Sequence, residues 1–322
     1  MNLHDTIEYL SQVNTRTCHP KRLEEIEKEI PYFHIRKDDI GKYQVEGYAY
    51  HHHDNAPRMD LWCNYMRHAI LPNIDPLADV SGFYNIELHD SYTYLNNGKV
   101  YKDVMCFSKF KKDDEGVRPV LIPDPYQMCN YGNMLAQVSD TQEWTSKLDK
   151  VVFCGTTTGN RDPLTNQRIN MCLWSLDKKQ KYDFYITKVA QMNLTDVLSR
   201  VPKFKEIYRP PLSIEDQLKY RYHLVMDGNT CRFDVWYYKT NNVVLKYDSK
   251  EMLWYYPLIQ SGVHHVDVNK DNIGDVVNIY DNNPNLAQVM MYNAKQMSTS
   301  LFRPIVHQMY TINLFENISW NK

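Results

Sequence analysis

Residues 219–246 read KYRYHLVMDGNTCRFDVWYYKTNNVVLK, and this stretch decides the fold class. Tyr222 to Met226 is a β-prone run with no Gly or Pro, stopped by the turn residues Asp227-Gly228-Asn229. Thr230 is placed to cap a helix that carries Phe233, Trp236 and Tyr237 at three- and four-residue spacing. Thr240-Asn241-Asn242 ends that helix before the apolar run Val243-Val244-Leu245. The pattern is a strand-helix-strand unit. Its first loop ends at a helix N-terminus, where unpaired N–H groups and the helix dipole favour an anion. Arg232 falls in the first helical turn, where its charge opposes the dipole, so either a bound anion or a neighbouring carboxylate balances it.

Working outward, the same alternation recurs. Phe33 to Ile35 and Tyr43 to Tyr50 read as strands, Met59 to Leu71 as a helix ending at Pro72, and Phe83 to Leu88 as a strand stopping at His89-Asp90. A second series opens with the strand Val151-Val152-Phe153. Its loop, Cys154 to Asp162, runs into a helix expected to begin at Pro163. Tyr182 to Ile186 is a further strand, Ser213 has N-cap character, and Asn285 to Met297 and Arg303 to Leu314 are the last helices. Strands and helices alternating in this way predict an α/β protein with mostly parallel sheets. The chain's 322 residues suit two domains of about 150 residues, read as 1–149 and 150–290.

Composition excludes several classes. A net charge of −2 with scattered basic residues argues against a nucleic-acid binder. No apolar run approaches the length of a membrane span and none near the start resembles a signal peptide, so the sequence reads as cytoplasmic. Seven cysteines without a CxxC pair indicate neither a disulfide framework nor a zinc knuckle, and free, mostly buried thiols are expected. His51-His52-His53 on an extended segment alternate in direction and cannot all reach one ion, so no metal site is assigned. Trp254-Tyr255-Tyr256 is open to two readings, stacking on a ligand ring or packing in a core.

The chemistry-bearing residues gather on loops that follow strands. Gly155 to Arg161 offers two glycines, three threonine hydroxyls and an arginine, a combination suited to phosphate. The Gly-Lys-Ser/Thr ending of a Walker loop is missing, which counts against a phosphotransferase. Together Arg161 and Arg232 could clamp a diphosphate from two loops, since guanidinium groups match phosphate geometry. Both this loop and the Asp227-Gly228 turn belong beyond the carboxyl ends of strands, where ligands of such sheets bind. Asp90, just past a strand, is either a working carboxylate or a turn former.

The segments GTTTGNRDP, YRYHLVMDGNTCRF and EMLWYYPLIQSGVHHVDV, in this order and spacing, resemble glycosyltransferase family 90, the Rumi-type protein O-glucosyltransferases and fungal capsule xylosyltransferases. The resemblance is strong from Val151 to Asp275 and continues through Tyr84 to Asp124 and the terminal helices. It implies a GT-B fold, two Rossmann-like domains facing across a cleft, with residues 291–322 as C-terminal helices returning toward the first domain. It implies an inverting enzyme that moves glucose or xylose from a UDP-sugar to a hydroxyl of a protein or glycan acceptor, with no cofactor or metal required. On the matching positions it assigns Gly155, Thr156, Thr158, Arg161 and Arg232 to the diphosphate, Glu251 to the nucleoside and Asp90 to the catalytic base. Two positions depart from the family's pattern: Cys154 stands where many relatives have Arg, and Ser91-Tyr92 where many have a Pro close after the base. The second departure motivates the alternative reading, a nucleotide- or glycan-binding protein that keeps the fold without catalysis.

Overall fold

A computed structural model describes residues 5, 7–8, 31–49, 56–88, 104–110, 119–124, 138–229, 234–248 and 251–320. The chain divides into two compact units, residues 1–133 with 251–257 and 301–322, and residues 134–250 with 258–300.

The first unit holds a five-stranded sheet in the order β2-β1-β3-β4-β6. Its strands are β1 (Tyr32–Lys37), β2 (Tyr43–Tyr48), β3 (Gly82–Glu87), β4 (Val104–Cys106) and β6 (Val120–Leu121). β1 pairs antiparallel with β2 and β3, while β3–β4 and β4–β6 are parallel, so this sheet is mixed. Asp38 makes the β1–β2 turn, its Oδ1 accepting from the backbone N–H of Ile40 and Lys42. Alternation then sorts the faces: Phe33, Ile35 and Val45 are buried and Arg36 and Glu46 exposed. Helix α1 (Ala56–Tyr65) continues through a π turn, Met66–Ile70, and a 3₁₀ turn, Leu71–Asn73, that contains Pro72.

Residues distant in sequence close this unit. A two-stranded ribbon joins β5 (Ser108–Phe110) to β11 (Glu251–Leu253). The last helix, Pro304–Trp320, donates from Tyr310 to the Leu121 carbonyl and from Gln308 to the Ala69 carbonyl. Its Phe315 packs edge-on against Phe33 and Tyr84, ring pairs that each add about 0.5–1.5 kcal/mol beyond area burial. Trp254 and Tyr255 are buried against Tyr310 and Phe302, which decides the aromatic run in favour of core packing.

The second unit's sheet is wholly parallel, in the order β12-β10-β9-β7-β8. It comprises β7 (Leu148–Thr156), β8 (Tyr182–Lys188), β9 (Tyr220–Met226), β10 (Val243–Tyr247) and β12 (Val266–Val268). Its central strands are covered on both faces, which is why β9 and β10 read as near-continuous apolar runs. Burial of each Val, Leu or Ile there contributes about 1.5–3 kcal/mol. His223, in the middle of β9, is held neutral because burial pushes its pKa down to about 3. Helix α2 (Gln167–Ser175) connects β7 to β8. Three short helices, α3 (Leu194–Arg200), α4 (Phe204–Ile207) and α5 (Ile214–Leu218), lead from β8 back to β9. Ser213 caps α5 as its sequence predicts, accepting from the Asp216 N–H.

Local expectations are revised at three points. The helix between β9 and β10 is a 3₁₀ segment, Asp234–Lys239, and in the connection 126–149, where the sequence predicts a helix around Trp144, there is a 3₁₀ turn, Trp144–Ser146. The helix after β7 starts at Gln167, not at Pro163, because Asp162 to Thr165 folds into a turn closed by the Thr165 N–H on the Asp162 carbonyl. The unit ends with α6 (Ile273–Asn282) and α7 (Pro284–Leu301). The closing helix of the first unit is α8. Among the described residues no helix is long and apolar enough to cross a membrane.

Candidate functional site

Strand order creates the site. β7 and β9 are neighbours, yet the chain leaving β7 goes to β8 on one side and the chain leaving β9 goes to β10 on the other. Connections departing in opposite directions open a crevice at the carboxyl ends of the two strands, the place where open α/β sheets bind ligands. The loop from Thr157 to Asn166 and the turn beginning at Asp227 flank it.

Arg168, in the first turn of α2, ties these two loops together. Its Nε donates to the Asp227 carbonyl, one terminal nitrogen to the Met226 carbonyl, and the other to the Thr156 carbonyl and Thr158 Oγ1, all at 2.8–3.1 Å. A guanidinium with a planar fork can bridge two strand ends in this way where a lysine cannot. Thr158 Oγ1 also lies 3.1 Å from Thr156 Oγ1, so the two hydroxyls and Arg168 form a chain of hydrogen bonds. The loops touch as well. A Cβ on Gly228 would lie 2.4 Å from Thr158 Oγ1 and 2.8 Å from Arg168, and one on Gly159 would lie 3.0 Å from the Gly228 carbonyl. Gly159 also holds a φ of 111°, which a side chain would strain.

The β7 loop is anchored on its other flank. Thr157, fully buried, donates to the Ala190 carbonyl and accepts from the Ala190 N–H, both at 2.8 Å, fixing it to the segment after β8. Buried Asn166 caps α2 by accepting from the Ile169 N–H while its amide donates to the carbonyls of Thr157 and Asn160. Asp162 is paired with Arg200 at 2.7 Å. Arg161 is exposed and has no hydrogen bond or ion pair among the described residues.

Of the residues read from sequence, Thr156, Thr158, Asp227 and Gly228 meet around Arg168, while Gly155 precedes them on β7 and Arg161 follows on the exposed part of the loop. Glu251 begins β11 in the first unit. Asp90, Arg232 and the His51-His52-His53 run lie outside the described residues. No group of three or more metal-ligating side chains occurs among the described residues. His264 Nδ1 accepts from the Gln260 N–H, and buried His265 faces Asp267 at 3.2 Å. Burial pushes the Cys154 thiol up, away from nucleophilic use. Sequence reading missed Arg168, Asn166 and Gln191, and took Asn229 only as a turn residue, whereas Gln191 and Asn229 both accept from the Gly159 N–H. The signal for Asn166 was its place three residues before Ile169; Arg168 carried none, since an arginine in a first turn resembles any surface cation.

No family model matches the chain, and no curated protein matches it in sequence. Among solved structures it is similar to Anabaena HepE in complex with UDP-glucose, at 12% identity and a TM-score of 0.36 over 59% of this chain. The match covers 50% of the HepE chain, so this chain spans about half the length of that structure. It is also similar to a glycosyltransferase from Rickettsia africae, at 13% identity, a TM-score of 0.36, and 70% of this chain with 66% of that one. S. aureus TarM, as a mutant in complex with fondaparinux, alpha-GlcNAc-glycerol and UDP, matches at 11% identity and a TM-score of 0.41, over 88% and 64% of the two chains. These scores lie below 0.5, and the α/β assignment rests on this chain's own strand order.

Proposed function

We propose that this chain is a UDP-sugar-dependent glycosyltransferase of GT-B type that moves glucose or xylose to a hydroxyl of a protein or glycan acceptor. The observation that carries the reading is the switch point between β7 and β9, where an Arg168-braced Gly/Thr loop presents Arg161 without a partner among the described residues. An exposed guanidinium beside hydroxyls and backbone amides is suited to an anion such as a diphosphate. The resemblance of the surrounding motifs to family 90 narrows that anion to the diphosphate of a UDP-sugar.

In this reading Asp90 takes the proton from the acceptor hydroxyl as its oxygen attacks the anomeric carbon from the face opposite UDP. The bond from that carbon to the diphosphate breaks, its electron pair leaves with UDP, and configuration inverts in one step. Negative charge grows on the leaving diphosphate as the bond lengthens. Arg161 and Arg232 therefore stabilise the transition state more than the ground state, with Gly155, Thr156, Thr158 and the Asp227-Gly228 turn shaping the phosphate site. Glu251 contacts the nucleoside. The arginines supply the countercharge, and the reaction needs no metal.

Calorimetric titration with UDP, UDP-glucose and UDP-xylose, with and without a chelator, tests this. Binding should be chelator-insensitive and lost in Arg161→Ala and Arg232→Ala. Asp90→Asn should lower turnover by about 10² to 10⁴ with donor affinity retained. Binding of none of the three ligands would overturn the proposal. Binding without transfer or hydrolysis would instead favour a nucleotide-binding protein on the same fold.

A further inference from the structure

The Gly159 N–H, in the loop after β7, donates to two side-chain oxygens at once. Asn229 Oδ1, from the loop after β9, lies at 3.1 Å, and Gln191 Oε1, from the segment after β8, at 3.3 Å. One hydrogen shared between two acceptors satisfies neither fully. Gln191 also holds a φ of 63°, a left-handed conformation that costs a non-glycine residue energy. Segments leaving three adjacent strands, β8, β7 and β9, thus converge on a single donor two residues before Arg161.

Both acceptors are neutral amides. A carboxylate at either place would hold the N–H firmly and repel a phosphate; an amide oxygen holds it weakly and carries no net charge. Hydrogen bonds to a charged acceptor are about twice as strong as those between neutral groups, so an oxyanion at this point outcompetes either amide.

We propose that the Gly159 N–H is a diphosphate donor and that Gln191 and Asn229 are its built-in competitors, exchanged for a phosphoryl oxygen when nucleotide diphosphate binds. The inference rests on the UDP-sugar reading and extends it to residues with no assigned role. Exchange breaks the Gly159 contacts of Gln191 and Asn229 together, while Thr157 and Arg168 keep the segments after β8 and β9 in place.

The test is titration of the full chain with UDP, inorganic pyrophosphate and uridine, in the wild type, Gln191→Ala, Asn229→Ala and the double variant. Removing competitors should tighten UDP and pyrophosphate by about three- to tenfold in the double variant, the size of one net hydrogen bond, and leave uridine unchanged. Gln191→Gly, which removes the same acceptor while relieving the left-handed backbone, should match or exceed Gln191→Ala. The Gly159 amide resonance should shift on addition of pyrophosphate. Weaker UDP binding in the variants would overturn the proposal by making the amides ligand contacts, and unchanged binding would overturn it by showing no competition. A wild type that binds neither UDP nor pyrophosphate would remove the parent reading and this inference together, an outcome distinct from equal UDP affinity in every variant.

Discussion

The two ends of the second unit's sheet treat positive charge in opposite ways. At the amino end Lys181 lies 2.5 Å from both Asp149 and Asp281, Arg221 lies 3.3 and 3.6 Å from the same carboxylates, and Tyr222 donates to Asp281 at 2.6 Å. Cations there meet carboxylates, and the cluster binds the starts of β7 and β9 to the end of α6. At the carboxyl end Arg168 bonds to three carbonyls and a hydroxyl, and Arg161 has no partner among the described residues. Charge is balanced internally where the task is to hold strands. At Arg161 it is left without an internal partner among the described residues, where, in the proposed function, a ligand completes it.

The strongest way to break this contrast is to separate the two arginines of the carboxyl end. Arg168→Ala removes four hydrogen bonds from a charged donor and should lower stability by about 3 kcal/mol, allowing for its partial exposure, while abolishing UDP binding. Arg161→Ala touches no internal bond and should stay within about 0.5 kcal/mol of wild type while losing UDP affinity. Thermal unfolding beside calorimetry measures both. Equal destabilisation by the two variants would mean that Arg161 is a structural residue and that the two ends do not differ.

The amino end supplies the converse case. Lys181→Met should cost about 1–2 kcal/mol, since its partners are partly solvated, and leave UDP affinity unchanged. The difference should also depend on pH. Partial burial raises the Asp149 pKa, but the hydrogen bond and charge of Lys181 outweigh it and hold the carboxyl below its ordinary value of 3.8. A carboxylate whose pKa is depressed by folding stabilises the protein above its unfolded pKa, and that contribution is lost as pH falls through the folded value. The gap in unfolding midpoint between wild type and Lys181→Met should therefore be constant near neutrality and shrink below about pH 3.8. A gap that persisted in acid would remove the ion pair as its cause.

The frame of this sheet was legible in the sequence because buried parallel strands are written locally. Tyr222 to Met226 and Val243 to Leu245 are apolar runs bounded by turn residues, and both lie within observed strands. The bracing of the site was not legible, for two physical reasons. Pro163 imitates a helix start, yet the turn from Asp162 to Thr165 takes it, and the capping interaction falls to Asn166. Arg168 acts on carbonyls of residues 226 and 227, contacts made only once β7 and β9 lie side by side. The first unit shows the same limit: Trp254 and Tyr255 are core residues because α8 supplies Tyr310 and the bend before it supplies Phe302. Such pairings across long separations leave no periodic trace.

Asn166 gives the finest test, because one side chain performs two tasks with two different atoms. Its oxygen accepts from the Ile169 N–H and caps α2, and its nitrogen donates to the carbonyls of Thr157 and Asn160, holding the β7 loop. Asn166→Ala removes both and should cost about 1 kcal/mol for the cap, with a further loss from two carbonyls left without their donor. Asn166→Asp keeps an oxygen for the cap, and its charge suits a helix N-terminus, but it sets a carboxylate against the two carbonyls. If the loop is held mainly through its carbonyls, Asn166→Asp should lose UDP affinity as fully as Asn166→Ala while α2 remains capped, as amide exchange at Ile169 would report. Retained affinity in Asn166→Asp would instead show that the cap alone positions the loop. The carboxyl end would then be organised by its helix, and the bracing of the two strands by Arg168 would be secondary to it.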